Sequence, residues 1–392
     1  MPLDLEAIAQ AIHEMAQAFD GDERHERLET ALERLRTIDP KLVRDRLDDP
    51  QAHPGWLVAY PERTFAKTYP LPPCPTDFTV VAADGSSHGP DRHSPVRFFI
   101  INTGYAVITY GSQPAAELDA FSRLYYRDEE VFIEPEHHTL PVEGAILAVK
   151  MAVDEMTALV DATTAVAQSE AVALRDGTLI LWGLDSPGIT PEVRERFLNP
   201  YREAMRRLRS LDIPLAAYIS YPNADDVINA LRVGMCPDLV VICSRCAARR
   251  ARRRPPCADL AMLVDRFLFA RHLADGERSD IFLSRHPVLK YYEDDQKIYF
   301  FYLNVGDEVA RIEVPAWVAR SPALLDRVHA VVYDQCQRGD GYPPALTEAH
   351  EQAVISVGER RLIEEMVTRE LADRAVVYIR SEKDRSKRLR GV

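Results

Sequence analysis

Two aspartates stand where apolar runs meet glycine. Asp84 closes the run in Val81-Ala82-Ala83-Asp84-Gly85-Ser86, and Asp176 stands in Arg175-Asp176-Gly177-Thr178-Leu179. A carboxylate at the end of a strand buried on both faces is costly unless it is paired or holds a cation. Either Asp-Gly step alone is ordinary turn chemistry. Two of them beside buried-looking strands are more suggestive than one. A third acid is Glu155. At 100° per residue it shares a helix face with Ala148, Met151, Ala152, Leu159 and Ala162. Asp154 falls instead with Lys150, Thr157 and Asp161 on a solvated face. An inward Glu calls for a metal or a salt bridge. Carboxylates converging from strands and a helix make an oxygen-rich site for Mn²⁺ or Mg²⁺, and phosphodiester hydrolysis is the chemistry that needs one. His350 lies on one face with Leu346, Ala353 and Val354. It reads by default as a core histidine and otherwise as a ligand or proton carrier.

A second cluster is Cys236, Cys243, Cys246 and Cys257, spaced C-x6-C-x2-C-x10-C. Four thiolates suit Zn²⁺ or an iron–sulfur cluster. Against this, Val240-Val241-Ile242 reads as a strand and there is one close pair, which leaves buried or free thiols as the alternative. Between these cysteines run Arg249, Arg250, Arg252, Arg253 and Arg254, five arginines in six positions. Arginine forks suit phosphate oxygens, so the run is a candidate DNA-backbone contact; the alternative is a solvated loop.

The elements that must position these groups follow from pattern. Residues 3–48 read as helical, with Leu5, Ile8, Ile12, Met15 and Phe19 at three- and four-residue steps. Residues 50–76 hold seven prolines and read as an irregular connector. Phe78–Ala83 reads as a buried central strand. Arg97–Thr109 reads as a hairpin turning at Asn102-Thr103-Gly104. A helix is expected over 144–170, with Val149, Val153, Met156, Val160 and Ala167 as its stripe. Then come a strand at Leu179–Trp182, a helix from Thr190 to Ser210 capped by Thr190, a strand at Leu215–Ser220 and a helix at Ala224–Arg232. A hairpin follows at Tyr299–Val305 and Val309–Val314, turning at Gly306-Asp307. Helices at 321–337 and 346–372 and a charged end close the chain. Alternation of strand and helix argues for an α/β sheet.

These pieces, in this order, resemble the NurA nucleases. They are Val81–Ser86, Lys150–Glu155, Asp176–Leu179, Ala217-Tyr218-Ile219-Ser220 and Gly341-Tyr342-Pro343 through Ala349-His350. The resemblance implies an RNase H-like mixed sheet flanked by helices. It implies a homodimer that cuts DNA with Mn²⁺ in end resection, beside a HerA-type hexameric translocase. Asp84, Glu155 and Asp176 would be the metal-binding acids and His350 the active-site histidine. Asp154 or Glu170 are alternatives to Glu155. The departure from the pattern is Leu174-Arg175, where the family has an apolar strand end. The expected organisation is an N-terminal helical region with a Pro-rich connector at 1–75, a nuclease domain at 76–372 with the Cys/Arg insert 236–257, and a charged tail at 373–392.

Composition fits. The 392 residues carry a formal charge of −13, which excludes a generally basic nucleic-acid coat. No run of 18 apolar residues marks a membrane span. The N-terminus is an acidic amphipathic helix and not a signal peptide, so a cytoplasmic location with reduced thiols is expected. No G-x-x-x-x-G-K-[ST] loop occurs, so an ATP motor would be a partner. The alternatives are a catalytically silent RNase H-like scaffold and an unrelated metal-dependent phosphoesterase.

Overall fold

The computed structural model describes residues 3–18, 21–90, 96–133, 139–166 and 170–373. Phe19, Ala167 and all but the first residue of the charged tail lie outside these. The chain forms two compact units. One comprises Leu71–Ser220, His286–Phe300 and Ile312–Val392; the other comprises Met1–Pro70, Tyr221–Arg285 and Phe301–Arg311.

The first unit is built on five strands, β1 (Phe78–His88), β2 (Phe99–Tyr110), β3 (Ala115–Tyr125), β4 (Ala171–Asp176) and β5 (Leu215–Ile219). Their spatial order is β5-β4-β1-β2-β3. β2 runs antiparallel to β1 and β3, while β4 is parallel to β1 and β5 to β4. Helix α1 (Ala145–Thr164) precedes β4, and α2 (Pro191–Ser210) links β4 to β5. This is an RNase H-like mixed sheet. β1 is central, as its apolar run requires: Phe78 through Ala83 are all buried.

Strand alternation sorts the core. Val81 and Ala83 of β1, Ala171 and Ala173 of β4, and Leu215 and Ala217 of β5 pack against α1 and α2. The α1 stripe Val149, Val153, Met156 and Val160 is buried there; each such side chain contributes about 1.5–3 kcal/mol over exposure. Pro191 starts α2, and Thr190 caps it by accepting from the Val193 N–H.

Four sequence expectations are corrected. β2 does not turn at Asn102-Thr103-Gly104; it runs unbroken through them. The helix expected to 170 ends at Thr164, and the strand falls at Ala171–Asp176 instead of Leu179–Trp182. The small residues of 171–174 continue an apolar pattern that period alone cannot split. The helix expected over 346–372 is two, α3 (Pro344–Ala353) and Val357–Asp373. Val240–Ile242 forms no strand, only an isolated bridge from Ile242 to His53.

Asn102 and Gly104 have a different task. Gly104 pairs with Asp84, so both face the same side of the sheet, opposite α1. α3 packs on that side against β1 and β2. A Cβ on Gly104 would stand 2.5 Å from the Ala349 carbonyl oxygen and 2.6 Å from the Ala353 nitrogen. The Asn102 amide donates to the Gln352 and Ala353 carbonyls at 3.0 and 2.8 Å, satisfying the end of α3.

The second unit holds the helices Leu5–Ala18, Gly21–Thr37 and Pro40–Asp48, the last capped by Asp39. The helix Asp226–Gly234 begins over a buried carboxylate. Asp265 accepts from the Val227 and Ile228 N–H groups at 3.0 and 2.8 Å and from the Tyr302 hydroxyl at 2.7 Å. Burial, with Asp226 beside it, pushes Asp265 up to about 7.

Two outcomes follow. Gly104→Ala should cost about 1–3 kcal/mol in urea unfolding, because the contact is backbone against backbone and α3 must move. Asp265 binds its proton in the folded chain at pH values where the unfolded chain has already lost it. Its contribution is therefore full below about pH 4 and falls as pH rises through about 7. Asp265→Asn should flatten the decline of stability across that window by up to about 1.4 kcal/mol per pH unit, read from urea midpoints.

Candidate active site

The site forms where the parallel pairing of the two central strands stops: β4 ends at Asp176, whereas β1 does not end at Asp84, as its sequence suggested, but runs on to His88 paired with β2. Ala83 of β1 lies beside Arg175 of β4, so Asp84 and Asp176 are the next residue on each. Both alternate onto the α3 side of the sheet. α3 brings His350 there, and its Nδ1 lies 2.7 Å from Asp84 Oδ2. Asp84 is mostly buried, with 18% of its side chain exposed, against 64% for His350. His350 is thus neither a core histidine nor remote.

Asp176 ends β4 exposed on one side. The chain packed around it nevertheless desolvates it, and with Asp84 nearby this raises its pKa; a hydrogen bond from Tyr342 works the other way. Tyr342 is set by an edge-on contact with Tyr218 of β5, ring centroids 5.4 Å apart. The turn before it uses positive φ at Asp340 and Gly341. Gly177, at φ +79°, lets the chain leave β4 sharply, and its N–H donates to Asp176 Oδ1 at 2.9 Å.

Glu155 points inward from α1, as its helix face predicts, and is 5% exposed. It has a partner: Arg175 donates to its Oε2 from Nε at 3.1 Å and Nη2 at 2.7 Å. Burial pushes Glu155 up, Arg175 opposes this, and Asp84 and Asp176 push the same way as burial. The three acids therefore sense one another across the strand ends. Glu155 reaches this level because Gly85 leaves a gap on the α1 side. A Cβ there would meet Glu155 Oε1 at 2.7 Å.

The other acids are accounted for. Asp154 is not on an open face: it pairs with Lys150 and accepts from the Tyr125 hydroxyl at 2.8 Å. Glu170 pairs with Arg327. Sequence reasoning missed Arg175 as a partner, although its appearance where the strand end should be apolar was the signal. It also missed Glu313, which accepts from the Thr178 hydroxyl at 2.7 Å and the Leu179 N–H at 3.0 Å. Leu179–Trp182 is the segment expected as a strand, and Thr178–Leu181 forms none. It is an irregular segment held by Glu313 and by Tyr201 and Tyr292, whose hydroxyls donate to the Leu179 carbonyl.

In the other unit, Cys236, Cys243, Cys246 and Cys257 line one cavity. Arg249, Arg250, Arg252, Arg253 and Arg254 are exposed. Among the described residues, no three His, Cys, Asp or Glu side chains stand as a ready-formed metal cage. No helix of the described residues is long and apolar enough to cross a membrane.

An RNase H-like sheet with neighbouring carboxylates on its two central parallel strands defines an α/β protein with an acidic site on one face of the sheet. A family model described as NurA domain matches residues 78–355. The chain belongs to the NurA family, whose members are nucleases associated with DNA repair. Among solved structures it is similar to a crystal structure of NurA with manganese, at 13% identity and a TM-score of 0.30, over 77% of this chain and 90% of that one. No curated protein matches the chain.

The Glu155–Arg175 pair yields a prediction. Arg175→Met should destabilise by about 3–5 kcal/mol in urea unfolding, because Glu155 is left buried and uncompensated. Replacing both, with Glu155→Leu, should recover most of that loss.

Proposed function

We propose that this chain is a metal-dependent deoxyribonuclease that hydrolyses phosphodiester bonds during DNA end resection. The observation that carries this is the juxtaposition of Asp84 and Asp176 on adjacent parallel strands, with His350 bonded to Asp84. Asp84 and Asp176 would hold the metal, with Glu155 Oε1 reaching the same level through the gap at Gly85. Three mutually repelling carboxylates are a donor set that a cation relieves. Carboxylates suit Mg²⁺ and Mn²⁺ alike, and the NurA resemblance favours Mn²⁺. A bound Mn²⁺ supplies charge neutralisation at phosphorus and a water of lowered pKa.

The chain's own groups do the rest. With Nδ1 donating to Asp84, His350 keeps Nε2 as its basic nitrogen, able to take a proton from water and return it to a leaving oxygen. Tyr342 holds the Asp176 carboxylate by a hydrogen bond. Arg175 occupies Glu155 Oε2 and so limits that side chain to one remaining oxygen. The exposed arginines at 249, 250 and 252–254 offer forks for the phosphate backbone on an otherwise acidic chain.

A homodimer is supported by β3, the outer strand of its unit, which leaves Leu118, Phe121 and Leu124 exposed at 40–49%. A HerA-type translocase as partner rests on family membership. A DNA substrate and cysteines outside any disulfide fit a cytoplasmic location.

The test is cleavage of labelled linear single- and double-stranded DNA with Mn²⁺, Mg²⁺ or EDTA. Asp84→Asn and Asp176→Asn should reduce Mn²⁺-dependent cutting to background while circular dichroism is unchanged. His350→Ala should slow it by about 100-fold or more. Cutting that survives both aspartate changes would place the chemistry elsewhere. No cutting with any metal, even with a HerA-type translocase added, would favour a silent scaffold.

A further inference from the structure

The segment 236–257 has almost nothing to hold it by packing. It is a succession of short turns, at Cys243–Arg245, Ala247–Arg250 and Pro256–Leu260. Of its residues only Val241 and Pro255 are buried, and Leu239 is 92% exposed. It also crowds five arginines into six positions. Ordering so many residues without a core costs about 1–2 kcal/mol each in backbone entropy. A crosslink is the usual remedy in small coreless segments.

The four cysteines are placed to supply one. Although spread over 22 positions, they line a single cavity with Trp56. All are half-buried and none is in a disulfide. The strand that argued against a metal, Val240–Ile242, does not form, so the approach to Cys243 is free to turn. The Cys243 sulfur is close enough to feel Cys236 and Cys257, together with Arg232 and Arg249.

We infer that Cys236, Cys243, Cys246 and Cys257 form a structural zinc site. Four thiols bind Zn²⁺ as thiolates and release four protons to solvent. The resulting centre carries a net charge of about −2. Arg232 and Arg249 stand beside it to offset that charge. Four thiolates in a tetrahedral set suit a single Zn²⁺, and the cavity between them is small, about 20 Å³. Among the described residues the four sulfurs do not stand as a ready-formed cage, so on this inference the thiols close on the ion as it binds. The site fixes both ends of the arginine run, from Cys246 before it to Cys257 after it. This inference is independent of the nuclease reading, because its test reads metal and thiols and not cutting.

The full chain, purified under reducing conditions, is analysed by inductively coupled plasma mass spectrometry. About one zinc per chain is expected. Titration with an organomercurial should release it as about four thiols are consumed. Alkylation mapped by mass spectrometry should find these four cysteines protected until a chelator is added. Cys243→Ser with Cys246→Ser should bring zinc to about zero. The wild-type measurements do not depend on that variant folding. A chain without zinc, whose four thiols alkylate at the same rate with and without chelator, overturns the site. Iron with visible charge-transfer absorption overturns the assignment to zinc.

Discussion

Everything at the strand ends depends on one buried ion pair. Glu155 and Arg175 meet under the sheet with 6% and 10% of their side chains exposed. Removing two charges from water costs several kcal/mol each, and only good geometry and further hydrogen bonds repay it. Here the geometry is good: two guanidinium nitrogens reach one carboxylate oxygen, and the third turns to the Thr178 carbonyl. That last bond reaches into the segment after Asp176. The pair therefore ties α1, β4 and the exit of β4 into one body. It also opposes the burial, and the nearby Asp84 and Asp176, that push the Glu155 carboxyl toward its neutral form.

The approach of helices to the sheet is set by absences of side chain on opposite faces. At Gly85 the gap admits Glu155 and Met151 from α1. At Gly104 it admits the backbone of α3. The two glycines sit on neighbouring strands, one residue out of register with each other, so they open opposite sides of the same place. The acids stand between them. A sheet with ordinary side chains at both positions would keep either helix too far away for Glu155 or His350 to reach the strand ends.

Much of this was readable beforehand. Phe78–Ala83 announced a central strand because both its faces are apolar, and α2 announced its start with Thr190 and Pro191. Periodicity turned Glu155 inward, and it is inward. What failed did so for physical reasons. Asn102-Thr103-Gly104 has turn composition, and only the position of α3, some 250 residues later in the chain, explains why those residues lie mid-strand. The boundary between α1 and β4 is blurred by a run of small apolar residues that suits either state. Arg175 looked like a defect in a strand, since its partner lies 20 residues earlier on a helix face that local pattern does not connect to it. Tyr342 drew notice only as part of a resemblance, yet it bonds Asp176.

The bond between Asp84 and His350 spans 266 positions of sequence. A ribosome adds about 5–20 residues per second. Asp84 therefore emerges roughly a quarter of a minute to a minute before the histidine, and Glu155 and Asp176 roughly ten to forty seconds before it. Any fragment ending before α3 carries the acids without the imidazole, and leaves β2 with a bare groove at Gly104. The chain is thus built in an order that withholds the imidazole until long after the acids have emerged.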